Sequence, residues 1–335
     1  MLKIQKIGLL TLLVYFTLLT NLITNPFKQA WGLPGLNVTV TTDKKIYNVG
    51  ETIQVSGNLT INGQPASNGL VAVQVNDPKN VLYIIRTCLI GSATPWKIEV
   101  LQVYLSDQVG NPKNSVARGT LGYITIIWRN NDNVSHQVSI TLNLCYEDST
   151  PFLAFVPFTG NVPAGKQQNM TVSVPIPSDA PTGTATVYAS AMSTLPSNGG
   201  YPYSPEKSSN FTITKSTSSS STNQTLGSVT TNEGYNIKFK TPNKDARLGN
   251  YTIYVTAICQ EQTAQATHTF KVVLLGDVNF DGKVDMSDIG LILRAYGTKK
   301  GDPKWNPIYD LNNDEKVDMS DIGITLRNFG NTGKY

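Results

Sequence analysis

The sequence predicts a mainly β chain: two β-sandwiches, one interrupted by the other, followed by a small helical module. Three observations carry this. Residues 36–90 and 227–274 alternate apolar and polar with a period of two, as half-buried strands do. Residues 95–215 hold a second β-pattern of domain length between those halves. Residues 275–335 change to two acidic loops, each followed by apolar residues at helical spacing.

A chain of 335 residues is too long for one ordinary domain and suggests two to four. Its formal charge of +4 is not gathered anywhere, and no Lys/Arg run exceeds two residues. The basic footprint that nucleic acid requires is therefore missing. Residues 1–30 read as an export signal: Lys3 and Lys6 precede an apolar run from Ile7 to Leu19. Polar Thr20, Asn21, Thr24 and Asn25 shorten that run below the roughly 20 residues of a spanning helix. A cleaved signal peptide is expected, and an extracellular or cell-surface location with it. The alternative is an uncleaved membrane anchor.

The strand pattern begins at Leu36, Val38 and Val40 and continues through Ile53 and Val55. After the Asn62-Gly63 turn it resumes with Val71, Val73 and Val75, and residues 80–87 make a fourth strand. Four strands are too few to close a stable sandwich. Residues 235–239, 251–257 and 270–274 supply three more, which gives the seven of an immunoglobulin-like fold. One sandwich split by an inserted domain follows, since close-lying termini make insertion tolerable. Three consecutive small β-domains are the alternative. Inside the insert, residues 123–129, 137–146, 168–174 and 184–191 are strand candidates. Residues 216–226 are Ser/Thr-rich and read as a flexible linker.

Two stretches carry resemblances. T-D-K-K-I-Y-N-V-G-E-T-I-Q-V-S-G (residues 42–57) and L-G-N-Y-T-I-Y-V-T-A (248–257) resemble the opening and closing strands of a macroglobulin MG2-type domain. V-P-A-G-K (162–166) and I-P-S-D-A-P-T-G (176–183) resemble loops of adhesion-related CARDB-type sandwiches.

The C-terminal module is a tandem repeat. D-V-N-F-D-G-K-V-D-M-S-D starts at Asp277, and D-L-N-N-D-E-K-V-D-M-S-D starts 33 residues later at Asp310. Oxygen donors stand at loop positions 1, 3, 5, 9 and 12: Asp277, Asn279, Asp281, Asp285 and Asp288, then Asp310, Asn312, Asp314, Asp318 and Asp321. Lys283 and Lys316 would each add a backbone carbonyl at position 7. This is the donor pattern of a calcium loop of the EF-hand kind, so two calcium ions are expected. Gly282 suits the sharp turn at position 6, where the second copy has Glu315; weaker binding or a distorted turn is expected there. Ile289, Ile292, Leu293 and Tyr296 then fall on one helical stripe expected to be buried, repeated by Ile322, Thr325, Leu326 and Phe329. Gly297 and Gly330 stand where C-caps would be.

These residues resemble a type I dockerin. The resemblance implies a small all-α calcium module that plugs into a cohesin-like module on a scaffold or cell surface. Positions 10 and 11 and a basic helix residue would touch that partner: Met286, Ser287 and Arg294, and again Met319, Ser320 and Arg327. The repeat implies docking in either of two orientations.

No catalytic machinery is legible. The sequence lacks H-E-x-x-H, G-x-S-x-G and phosphate-cradling glycine loops. His136 and His268 read as structural, and Glu147-Asp148 as a solvated loop. Of three cysteines, Cys88 and Cys259 share the split sandwich and could pair, leaving Cys145 in the insert. Tyr201 and Tyr203, between Gly-Gly and Pro, would either pin a loop or offer a sugar-stacking face. A non-enzymatic exported docking protein is therefore expected, with sandwiches for adhesion or for binding a carbohydrate or cell-surface polymer. The alternative is a carbohydrate-binding accessory subunit of a polysaccharide-degrading assembly.

Overall fold

The computed structural model describes residues 35–92, 95–215, 230–231, 234–242 and 246–334. The expected signal segment and the whole Ser/Thr-rich linker lie outside these residues. The first stretch holds β1 (Leu36–Val38), β2 (Thr41–Thr42), β3 (Ile46–Asn48), β4 (Thr52–Ile61), β5 (Gln64–Pro65), β6 (Asn68–Asn76) and β7 (Leu82–Gly91). Next come β8 (Ile98–Ser106), β9 (Ser115–Ala117), β10 (Leu121–Asn130), β11 (His136–Tyr146), β12 (Pro151–Val162), β13 (Gln167–Pro175), β14 (Gly183–Met192) and β15 (Lys207–Thr214). Then follow β16 (Thr230–Thr231), β17 (Gly234–Lys240), β18 (Gly249–Cys259) and β19 (Gln262–Val273). Two helices close the chain, α1 (Met286–Arg294) and α2 (Met319–Arg327). Among the described residues the protein is mainly β, with two α-helices at the C-terminus.

Strands far apart in sequence pair directly. β4 pairs antiparallel with β17, matching Val55 with Ile237, and β6 pairs with β18, matching Val73 with Val255. The chain leaves this sandwich after Gly91 and rejoins it alongside the same strand, since Thr230 and Thr231 pair in parallel with Leu89 and Ile90. One sheet is β1-β4-β17 with β2 and β5 attached; the other runs β16-β7-β6-β18-β19-β3. Alternate residues meet between them: Ile53, Val55 and Leu59 from β4 face Val71, Val73 and Val75 from β6 and the aromatic side chains of Tyr251 and Phe270. Those two rings stack at 5.2 Å, and Tyr47 meets Phe270 edge-on at 5.5 Å.

The second sandwich sets the β13-β10-β8 sheet against β12-β11-β14-β15-β9. Trp128, Ile140, Leu142, Leu144 and Val187 are buried between them. The sequence reading placed four of its strands and missed β8, β9, β12 and β15.

β6 explains why the two sandwiches act on each other. Its odd-numbered valines enter the first core, yet Ala72, Gln74 and Asn76 are buried too. Their cover comes from the second sandwich: Ala72 and Ile85 pack with Met192. Gln74 accepts from the backbone N–H of Ser197 at 3.0 Å and donates to Asn76 at 2.7 Å. On β7, the Arg86 guanidinium forms a two-pronged pair with Glu206 at 2.9 and 2.5 Å, and the Thr87 N–H donates to the same carboxylate. The guanidinium also stacks 3.5 Å over the Tyr188 ring. A largely buried pair of this kind is costly to break from one side, because the remaining charge stays desolvated. Arg86→Met should lower unfolding free energy by about 3–5 kcal/mol in urea titration, whereas Arg86→Met combined with Glu206→Met should recover much of it.

Candidate metal loops and partner face

Both acidic loops adopt one backbone path. Position 4 is left-handed in each, with φ of 59° at Phe280 and 58° at Asn313. Position 6 is left-handed too: φ is 88° at Gly282 and 67° at Glu315. The missing glycine in the second copy has therefore not changed the turn. Glu315 carries the strain instead, on the order of 1–2 kcal/mol for a residue with a Cβ.

Side-chain hydrogen bonds shape each loop. Asp277 accepts from the N–H groups of Asp281 and Gly282 at 3.1 and 3.0 Å, and Asp310 from Asp314 and Glu315 at 3.1 and 2.9 Å. Asn279 Oδ1 accepts from Asp281 N–H and Asp281 Oδ1 from Lys283 N–H, and Asn312 and Asp314 repeat this. The position-12 carboxylates are fully buried. Asp288 accepts from the N–H groups of Val278, Asn279 and Asp285; Asp321 accepts from those of Leu311, Asn312 and Asp318. Position 9 completes a reciprocal cap, with Asp285 and Asp318 at the N-caps of α1 and α2 and Asp288 and Asp321 reaching back.

The repeat units also close on one another. Val284 N–H donates to Asn331 O and Val284 O accepts from Gly330 N–H. Val317 does the same with Thr298 and Gly297. Position 8 of each loop is thus tied to the chain following the other unit's helix.

The donor set suits a hard cation, being all oxygen: carboxylates, an Asn amide and a position-7 carbonyl. Among the described residues, no three His, Cys, Asp or Glu side chains gather at one point, so the amide and carbonyl would be needed to complete a shell. Asp288 Oδ1 and Asp321 Oδ1 each accept two N–H groups, whereas a carboxylate oxygen that accepts one keeps a second lone pair. Burial raises the Asp277 carboxyl above its ordinary range, and the charges of Asp288 and Asp281 push it the same way.

The helices correct one expectation. Ile289 and Ile292 are buried, as are Ile322 and Thr325, but Leu293 and Leu326 are each 53% exposed and Tyr296 and Phe329 each 49%. The core of the module lies instead among Val278, Ile289, Ile292, Ala295, Val317 and Ile322, with Trp305 and Tyr309 packed against it. Two nine-residue helices share so small a core that only the i, i+3 row is covered. Ala295 and Asn328 are the C-caps, and Gly297 and Gly330 follow in left-handed conformation. Met286, Ser287 and Arg294 are exposed on α1, and Met319, Ser320 and Arg327 on α2. Leu293 lies two turns along from Met286 on the same face, as Leu326 does from Met319.

A second correction concerns the cysteines: all three are free thiols. β6 lies between β7 and β18, with Val71 opposite Cys88 on one side and Ala257 on the other. Cys88 and Cys259 are therefore two strand spacings apart, about 10 Å, beyond the roughly 7 Å limit for a disulfide. Cys259 Sγ donates to Asn68 O, and burial pushes the Cys88 and Cys145 thiols up to about 12.

His136 is held by Asp132 at 2.8 Å and His268 by Thr42 at 3.0 Å, both in structural settings. The Asp132 contact was missed in the sequence because the two residues flank a turn. Asp148 lies 3.6 Å from Lys240, and so bridges the sandwiches. Tyr203 is buried and donates to Gln137 O, while Tyr201 stays partly exposed.

Residues 275–328 match the family model of the dockerin type I domain. Type I dockerin domains bind calcium, and dockerins are non-catalytic modules that dock on cohesins. No curated relative matches the chain. Among solved structures, a cycloisomaltooligosaccharide glucanotransferase of Paenibacillus sp. aligns at TM-score 0.28 and 13% identity, over 35% of this chain and 14% of that one. The C-terminal domain of Wzt aligns at 0.31 and 11%, over 37% and 78%. A CARDB domain from Pyrococcus furiosus, in complex with di-metal ions, aligns at 0.25 and 8%, over 37% and 95%. The chain spans a small part of the glucanotransferase, and likenesses this slight carry nothing about function. Among the described residues, no helix is long and apolar enough to cross a membrane.

Glu315→Gly should relieve the strained turn and raise the unfolding free energy by roughly 1 kcal/mol. The exposed Lys300 pair that it removes costs little. Gly282→Ala should lower it by a similar amount, since φ there is 88°. Urea unfolding of each variant checks both.

Proposed function

We propose that this is an exported, non-enzymatic docking protein whose C-terminal module holds two calcium ions and engages a cohesin-type partner. Its two β-sandwiches, 36–90 with 227–274 and the inserted 95–215, would serve adhesion or binding. The carrying observation is the repetition of one loop geometry in both copies, with the same left-handed positions, buried carboxylates and helix caps. Such agreement between sequences that differ at positions 2, 4 and 6 is what a shared ligand demands of a loop.

Calcium, when bound, would supply the divalent charge that offsets the carboxylates of each loop. Asp277, Asn279, Asp281, Lys283 O, Asp285 and Asp288 would hold the first ion, and Asp310, Asn312, Asp314, Lys316 O, Asp318 and Asp321 the second. The protein's own share is to start α1 and α2 at fixed points, so that the exposed side chains are presented rigidly. Met286 and Leu293 give an apolar strip and Arg294 a planar donor fork beside it, the combination that anchors protein interfaces. Met319, Leu326 and Arg327 repeat that strip, which supports docking in two orientations.

The test is capture of the full chain on immobilised cohesin modules in about 1 mM calcium and in chelator. Binding is expected in calcium only. Changing Met286 and Arg294 to Ala should leave it largely intact, because the second face substitutes. Adding Met319→Ala and Arg327→Ala should abolish it. Calcium-independent capture, or capture by the fourfold variant, would contradict the reading.

A further inference from the structure

A cleft of about 240 Å³ opens where the second sandwich meets the β18–β19 turn of the first. Its walls include Trp96, Tyr201, Lys97, Asn68, Gln260 and Glu261. We infer that this cleft is a saccharide-binding site, gripping one ring of a neutral glycan between the Trp96 and Tyr201 side chains. The site stands apart from the C-terminal module and does not depend on its docking.

The loop bearing Tyr201 is braced before any ligand arrives. Ser193 N–H donates to Tyr201 O at 2.9 Å, and Tyr201 N–H donates back to Ser193 Oγ at 3.0 Å. Gly199 and Gly200 N–H groups close a turn on Pro196 and Leu195. A Cβ on Gly200 would stand 2.0 Å from Thr194 O, so only glycine permits the close approach. Buried Tyr203 meets the Tyr201 ring edge-on at 5.5 Å. The ring that reaches the cleft is therefore fixed in place, which lowers the ordering cost of binding.

The β18–β19 turn that lines the cleft is strained. Gln260 and Glu261, the two central residues of the β18–β19 hairpin, both sit in the left-handed region, with φ of 49° and 62°. Such turns favour Asn-Gly, yet here two long polar side chains occupy them. Strain kept by bulky residues at a cleft mouth is a mark of function. Glu261, which lines the cleft with Lys97, pairs with it at 2.8 Å and joins the two sandwiches there.

Chemistry selects the ligand class. Aromatic faces carry negative charge density and suit the weakly positive C–H faces of a pyranose ring. The surrounding amides, carboxylate and ammonium offer donors and acceptors for hydroxyl groups. Lys97 and Glu261 cancel in charge, which disfavours phosphorylated or strongly cationic ligands. The volume falls below the roughly 300 Å³ at which drug-sized pockets begin, so one sugar ring is held while the rest of a chain lies outside.

The full chain should be titrated calorimetrically with cellohexaose, xylohexaose, mannohexaose and chitohexaose. At least one should bind with a dissociation constant below about 5 mM. Trp96→Ala and Tyr201→Ala should each weaken that binding at least about tenfold, and Tyr201→Phe should retain it. Phe152→Ala, in a separate cleft between the sandwiches, should leave it unchanged. Unaltered melting temperatures would show that the variants fold. Absence of binding across the panel, or binding lost with Phe152 and kept without Trp96, would overturn the assignment.

Discussion

The buried carboxylates of Asp288 and Asp321 are the constraint on which the C-terminal module depends. Each accepts three backbone N–H groups, from both ends of its loop, and so closes the loop and caps the helix together. An apolar isostere would fill the space but satisfy none of those donors, and unpaired buried donors cost about 1–3 kcal/mol each. The same bonding sets where α1 and α2 begin. That in turn decides which helix residues are exposed. Sequence, loop closure and the partner face are links of one chain of cause.

The module is not free of the body of the protein. Val284, at loop position 8, is buried with the core of the first sandwich beside Leu248 and Leu274. Leu248 N–H donates to Lys334 O at 2.7 Å, and Lys271 on β19 lies 3.9 Å over the Phe280 ring of the first loop. Only the first loop makes these contacts among the described residues, although the two loops share one backbone path. The repeat is thus symmetric inside and asymmetric in its surroundings, so the first loop is the better braced of the two.

Much of this was legible in the sequence, and the failures have physical causes. The fold class and the paired loops were readable because period-two alternation and donor spacing are local signals. β12 was missed because its Pro- and Phe-rich run does not alternate; it is an edge strand half-covered on both sides. The outward burial of Gln74 and Asn76 had no signal at all, since it depends on a second domain settling on β6. Leu293 and Tyr296 fit a helical stripe perfectly well, and nothing local says that so small a module can cover only part of it. The disulfide proposal failed for a related reason: sharing a sandwich says nothing about the strand that lies between. Tyr201 and Tyr203 were recognised as a pair, but which one reaches solvent was settled by tertiary packing.

The central claim is that the two loops are calcium sites that order the C-terminal face. Calcium titration calorimetry on the full chain, with Asp281→Ala and Asp314→Ala variants, tests it most directly. The account predicts two ions per chain, with each variant losing the site of its own loop and keeping the other. No calcium uptake at millimolar concentrations would contradict it.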